Sequence, residues 1–190
     1  MESRAGKEDG RVKITLVTLV ASSMMLAALP ALSLAQSQGS VEFGLDGGIT
    51  LLSTDDDDNL LTIDIPVQSF RVGFLITESF EIEPSLGLVS YSYSGHTHSL
   101  MNLNIDAAYN FVSGTGPSIP FVAGGIRLST VSNSTPGSQL GFGASAGAKI
   151  QAGDRLFVRL EFAIDRYLES DELSAEWRFA GLIGISFYTS

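Results

Sequence analysis

From Met101 to Phe111 the chain alternates without a break. Met101, Leu103, Ile105, Ala107, Tyr109 and Phe111 hold every second position, and Asn102, Asn104, Asp106, Ala108 and Asn110 hold the others. A side-chain period of two belongs to a β-strand with one apolar and one polar face. From Gln36 onward the same pattern returns between clusters of turn-forming residues, and no stretch there carries a convincing helical period. The chain reads as all-β.

Eight such segments can be laid out. Strand one, Val41 to Leu51, sets Val41, Phe43, Leu45, Ile49 and Leu51 against Glu42, Gly44, Asp46, Gly48 and Thr50. Strand two spans about Leu60 to Ile76. Its apolar sets, Leu61, Ile63 and Ile65 and then Phe70, Val72, Phe74 and Ile76, have opposite parity, which predicts a bulge between Pro66 and Ser69. Strand three runs from Phe80 to about Tyr93, strand four is the Met101 to Phe111 segment, and strand five is Pro120 to Leu128. Strand six sets Leu140, Phe142, Ala144, Ala146, Ala148 and Ile150 against Gly141, Gly143, Ser145, Gly147 and Lys149. Strand seven, Leu156 to Asp165, places Arg159, Glu161 and Asp165 on its polar face. Strand eight, Ala175 to Tyr188, places Arg178 on its own.

Soluble and membrane barrels both alternate, so the contents of the two faces decide between them. A soluble barrel turns its apolar face inward; a membrane barrel turns it to lipid and keeps the polar face in the lumen. Here the polar faces mix Gly, Ala and Ser with single Arg, Glu and Asp residues, and beyond Gln36 the only lysine is Lys149. Small residues leave room around an enclosed charge, while a water-facing exterior would carry more Lys and Glu. The expected fold is an eight-stranded antiparallel up-and-down transmembrane β-barrel, whose lumen is just wide enough to be filled by side chains.

Ahead of the barrel, Arg4, Lys7, Arg11 and Lys13 precede an apolar run from Ile14 to Leu32, followed by Ser33-Leu34-Ala35. A basic start, an apolar middle and small residues before the cut describe a signal peptide, residues 1–35, cleaved after Ala35 to leave a barrel domain of residues 36–190. A membrane anchor fits less well, because Thr15, Thr18, Ser22 and Ser23 dilute the run and Pro30 breaks it. Cysteine is absent, so neither disulfides nor thiolate metal sites are available. The formal charge of −10 argues against any nucleic-acid partner.

The connections after strands two, four and six, Thr77 to Ser79, Ser113 to Ser118 and Ala152 to Arg155, read as compact turns. Those after the odd strands are acidic or rich in Ser and Thr: Asp55-Asp56-Asp57-Asp58-Asn59, Ser94 to Ser99 with His96 and His98, Ser132 to Ser138, and Leu168 to Ser174 with Glu169, Asp171 and Glu172. With both termini periplasmic, the second set faces outside.

The phrases Arg71-Val72-Gly73-Phe74-Leu75-Ile76-Thr77-Glu78-Ser79-Phe80-Glu81-Ile82-Glu83, Pro120 to Gly125, and Gly147-Ala148-Lys149-Ile150 leading to Leu160-Glu161-Phe162 carry a resemblance. Over about Ser40 to Tyr188 the chain resembles the small outer-membrane β-barrel domain family, the OmpX-like and OmpA-barrel-like porin family proteins. Members usually end on an aromatic residue; here Ile183, Ile185 and Phe187 keep the alternation, but Tyr188-Thr189-Ser190 follow. The resemblance implies a monomer in the lipid of the bacterial outer membrane, inserted by the barrel assembly machinery. Its extracellular ligand is not legible.

Charge inside a narrow barrel is costly unless paired. Pairing strands two and three about their turn puts Arg71 opposite Ser85 and diagonal to Glu83. Arg159 and Glu161 share the inward face of strand seven, and Arg178 points the same way. These five residues, Arg71, Glu83, Arg159, Glu161 and Arg178, are the expected lumen ion network, structural rather than catalytic. His96 and His98 with the Asp55 to Asp58 run have the chemistry for zinc or calcium, but a solvated acidic loop accounts for them, and no metal or cofactor is expected. Lipid A modification would need an activated nucleophile. His98 and Ser99 are adjacent, so a strand would send them to opposite faces, and no enzyme is expected. The expected role is structural or surface-interacting, with a narrow passive channel for small solutes or ions as the alternative.

Overall fold

The computed structural model describes residues 37–54, 59–93, 96–112, 116–132 and 136–189, with the side chains of 54–68 and 89–98 left outside the description. The proposed leader, 1–35, and the Asp55 to Asp58 run lie outside the described residues. The chain forms one closed antiparallel barrel of β1 (Val41–Thr54), β2 (Asn59–Leu75), β3 (Phe80–Tyr93), β4 (His96–Asn110), β5 (Ser118–Ser132), β6 (Gly137–Gln151), β7 (Leu156–Tyr167) and β8 (Glu176–Tyr188). Each strand pairs with the next in sequence, and β1 closes on β8 from Glu42 opposite Tyr188 to Thr54 opposite Glu176. Closure of a sheet on itself is the way strands cross lipid; the β2–β3 ladder runs from Leu75 opposite Glu81 to Ser69 opposite Gly87. Among the described residues no helix is long and apolar enough to cross a membrane.

The parity change in β2 has a structural counterpart. Asp46 pairs with Ser69, but Gly48 pairs with Asp64, so residues 65–68 stand opposite Gly47 alone. Below this irregularity Phe70 and Phe74 face outward; above it Ile63 and Leu61 pair with Ile49 and Leu51. The insertion changes the register parity, so that Ile63 stands opposite the outward Ile49.

Strands are longer at one end than the alternation indicates. Strand four begins at His96 rather than Met101, pairing His96 with Tyr93, so the connection after β3 is a tight hairpin and not the Ser94 to Ser99 loop expected. β5 likewise runs on to Ser132 and β7 to Tyr167. Lipid-crossing strands need about 9–11 residues, so these tips extend the ladder past the apolar zone.

The usual inside-out order of a soluble core is reversed. Leu88 is 66% exposed while Lys149 is wholly enclosed. Phe43, Phe74, Phe80, Tyr109, Phe111 and Phe187 stand outward near the termini; toward the other end Trp177 stands outward, stacked on Phe179 at 6.4 Å. Aromatic residues gathered at the limit of an apolar exterior mark the interface of a membrane barrel.

Candidate functional site: a charge-filled lumen

At the end carrying the termini, Leu75, Ile119, Phe157 and Tyr188 are buried together, each from a different strand, with Val112 packed against them. Phe157 and Tyr188 meet edge to face at 5.1 Å. This apolar group closes the bottom of the lumen because each residue takes an inward position near its strand's terminal-end limit.

Around and above it lies a basal tier of charge. Lys149 Nζ, from β6, donates to Glu42 Oε2 at 2.6 Å and Glu81 Oε2 at 2.7 Å and lies 3.4 Å from Glu83 Oε1. Arg159 grips both oxygens of Glu83, at 2.7 and 3.0 Å, and its Nε donates to Glu161 at 2.7 Å. A forked guanidinium on a carboxylate is the strongest pairing available to such groups. Arg71 donates to Glu42 and, through Nε, to Asp46 at 3.2 Å; its Nη2 donates to Ser186 Oγ at 3.1 Å, which donates in turn to Glu42 at 2.6 Å. The Tyr188 hydroxyl also donates to Glu42, and Asn110 donates to Glu81 at 3.0 Å. Arg159 lies 4.0 Å over the Phe121 ring, joining the charged layer to an apolar wall.

Glycines on the inward faces make the space. A Cβ at Gly44 would strike the Arg71 guanidinium, and one at Gly184 would strike the Asp46 carboxylate.

An upper tier follows toward the far end. Arg127 donates to Asp106 at 2.7 Å and to Asp165 at 2.8 Å. Beyond it Arg178 pairs with Glu176 at 2.9 Å, reaches the Tyr167 hydroxyl and Asn102, and stacks 4.5 Å from the Tyr167 ring.

Of the five residues named from sequence, Arg71, Glu83, Arg159 and Glu161 therefore meet in one tier, with Arg71 opposite Ser85 in the ladder and 3.5 Å from Glu83. Arg178 stands apart near the far mouth. Sequence reasoning left out Glu42, Asp46, Glu81, Lys149 and Tyr188, the centre of the tier. Their inward parity was readable, but their meeting across the lumen, with Glu42 and Lys149 107 residues apart in the chain, was not.

Glu42, Glu81 and Glu83 offer carboxylate oxygens within 4.8 Å of one another, a spacing that suits a metal ion. The Lys149 ammonium already stands among them, so the place of a cation is filled by the chain itself. His96 and His98 lie in β4 as alternate residues, with side chains outside those described, and Ser99 next to His98 takes the opposite parity.

An apolar exterior with an aromatic band at its terminal end, around an ionic interior, defines a transmembrane β-barrel. The chain belongs to the outer membrane protein beta-barrel domain family, whose model matches residues 20–177. Solved structures agree. Neisserial surface protein A has a TM-score of 0.62 at 12% identity, covering 79% of this chain and 99% of that one. Ail, the attachment invasion locus protein of Yersinia pestis, gives 0.54 at 7% identity, covering 80% of this chain and 99% of its own. OprG from Pseudomonas aeruginosa gives 0.54 at 9%, covering 82% and 98%. At these identities the likeness is one of fold. No curated protein sequence matches the chain. The protein is a bacterial outer-membrane β-barrel protein, set in the lipid of that membrane.

Proposed function

We propose that this protein is a plugged membrane anchor that presents its far-end connections at the cell surface, in a structural or surface-interaction role. The observation that carries this reading is the basal tier: Lys149, Glu42 and Glu81 have no exposed surface, and the apolar group of Leu75, Ile119, Phe157 and Tyr188 lies in the same end of the lumen. Passage of solute would require several buried ion pairs to part at once, each leaving an uncompensated charge. A narrow passive channel for small solutes or ions is the second reading; the polar lining of the far half, including Asn102, Arg127 and Arg178, favours it, and the basal tier opposes it.

The surface presented is acidic. Glu169, Asp171 and Glu172 are exposed in the β7 to β8 connection, and the β1 to β2 connection contains Asp55 to Asp58. Ail has been crystallised with the heparin analogue sucrose octasulfate. A polyanion of that kind would be repelled here, so the partner class we infer is cationic or neutral. We further propose export by a leader cleaved after Ala35, insertion by the barrel assembly machinery, a monomeric barrel, and no catalytic role.

Epitope tags test the presentation. A tag between residues 133 and 136 should be labelled by antibody on intact cells, and one at Gly153 or Asp154 only after the membrane is breached. The reverse pattern would overturn the orientation and, with it, the surface role.

A further inference from the structure

β2 and β3 share the shortest ladder in the barrel, which stops at Ser69 opposite Gly87. The flanking ladders continue past that level: β2 stays on β1 up to Asn59 opposite Ser53, β1 on β8 up to Thr54 opposite Glu176, and β3 on β4 up to Tyr93 opposite His96. Among the described residues, Asn59 to Asp64 of β2 and Leu88 to Tyr93 of β3 therefore have no strand partner across the seam. Leu88, the first β3 residue above the last pair, is 66% exposed, more than any other large hydrophobic among the described residues. Such exposure fits an outward side chain with no strand on one flank.

The β2 insertion accounts for the gap. Residues 65–68 stand opposite Gly47 alone, and an insertion of this kind bends its strand, so the upper part of β2 leaves the line that its lower part follows beside β3. Pro66, within the insertion, has no N–H to give. Asn59 to Asp64 thus form the outer strand of a sheet made of β8, β1 and β2. In an extended strand alternate residues turn their N–H and C=O to the same neighbour, so β1 satisfies half of these groups and the rest face the seam. Ile49, opposite Ile63, is exposed on the apolar exterior, so the edge starts at the level of lipid, where unpaired backbone groups are expensive. An open edge is a template for an added strand.

We propose that the β2 edge, Asn59 to Asp64, is a docking site for an extended segment of a partner protein, which joins the sheet as an antiparallel strand, apolar at alternate positions and basic at its far-mouth end. The alternate apolar residues continue the outward row on which Ile49 and Leu88 stand. The basic end answers Glu169, Asp171 and Glu172, exposed in the connection that leads into β8. β8 lies two strands from the edge, about 10 Å at the usual strand spacing, a distance over which salt leaves part of the attraction. A second copy of this chain carries the same acids at the same height and is repelled. The inference deepens the surface role and rests on it for the side from which the partner arrives; the pairing itself is read on the purified barrel, and cell-surface labelling of the tags reads the side.

Amide hydrogen exchange of the folded barrel in detergent, with and without a synthetic peptide of alternating Val and Thr ending in Lys-Lys, tests the proposal. In the free barrel alternate amides from Asn59 to Asp64 should exchange fast, and the peptide should protect them. Protection already present without peptide would show that β3 or a second copy covers the edge, and fast exchange unchanged by the peptide would show that the edge takes no strand; either result overturns the proposal. Methylating alternate backbone nitrogens of the peptide should abolish binding, and replacing Lys-Lys by Glu-Glu should weaken it by about tenfold. Equal binding of all three peptides would also overturn it. Whichever of Thr62 and Ile63 has the fast amide can be replaced by proline, as Thr62→Pro or Ile63→Pro. An edge position without a ladder hydrogen bond tolerates proline, so that variant should fold and lose the peptide. Undiminished binding by it would contradict the proposal, and the methylated peptide decides the same point if it does not fold.

Discussion

The two halves of the lumen use the same chemistry to different degrees. In the basal tier, the side chains of Lys149, Glu42 and Glu81 are 0% exposed, and each cation bridges at least two acids. In the far half, Arg127 holds two aspartates that are 14% and 11% exposed, and Arg178 and Glu176 are 12% and 16% exposed. Burial decides what an ion pair is worth. Breaking a dry pair strands a charge, whereas water can replace a partner near the mouth. The basal tier is thus the part of the lumen whose integrity the barrel depends on, and the far half is the part that tolerates change.

The sharpest way to break this contrast is Lys149→Met, which removes the ammonium from among three carboxylates. It should cost about 3–5 kcal/mol, or prevent folding. Urea unfolding followed by Trp177, the single tryptophan, checks it, together with loss of the mobility shift between unheated and boiled samples. Arg127→Met should cost less, about 1–3 kcal/mol, because water can reach Asp106 and Asp165. At the mouth Arg178→Gln should change stability by about 0–1 kcal/mol. Equal losses for Lys149→Met and Arg178→Gln would remove the distinction between the halves.

Much of the barrel was readable because lipid enforces one rule on every strand: wherever a strand crosses the apolar zone, outward residues must be apolar. That rule made the strand count visible, and in β2 it exposed the insertion between Pro66 and Ser69 as a parity change. Beyond the apolar zone the rule lapses. His96 to Ser99 read as loop because their lettering is polar on both faces, yet the hydrogen-bonded ladder continues through them to Tyr93. The lumen was legible strand by strand and not across the barrel. Arg71 and Glu83 could be related because a tight turn fixes the register of β2 and β3. Lys149, on β6, meets β1 and β3 only when the barrel closes, and no local pattern encodes that meeting. Arg178 shares the inward parity of Arg159, but parity gives the face and not the depth, and the two lie in different tiers.

Planar-bilayer recording of the purified, folded wild-type barrel tests most directly whether the basal tier plugs the lumen. A plugged barrel gives a silent membrane at every voltage the bilayer withstands. Steady, discrete openings of the pure protein would show a conducting path past Lys149 and Arg159 and contradict the plugged anchor.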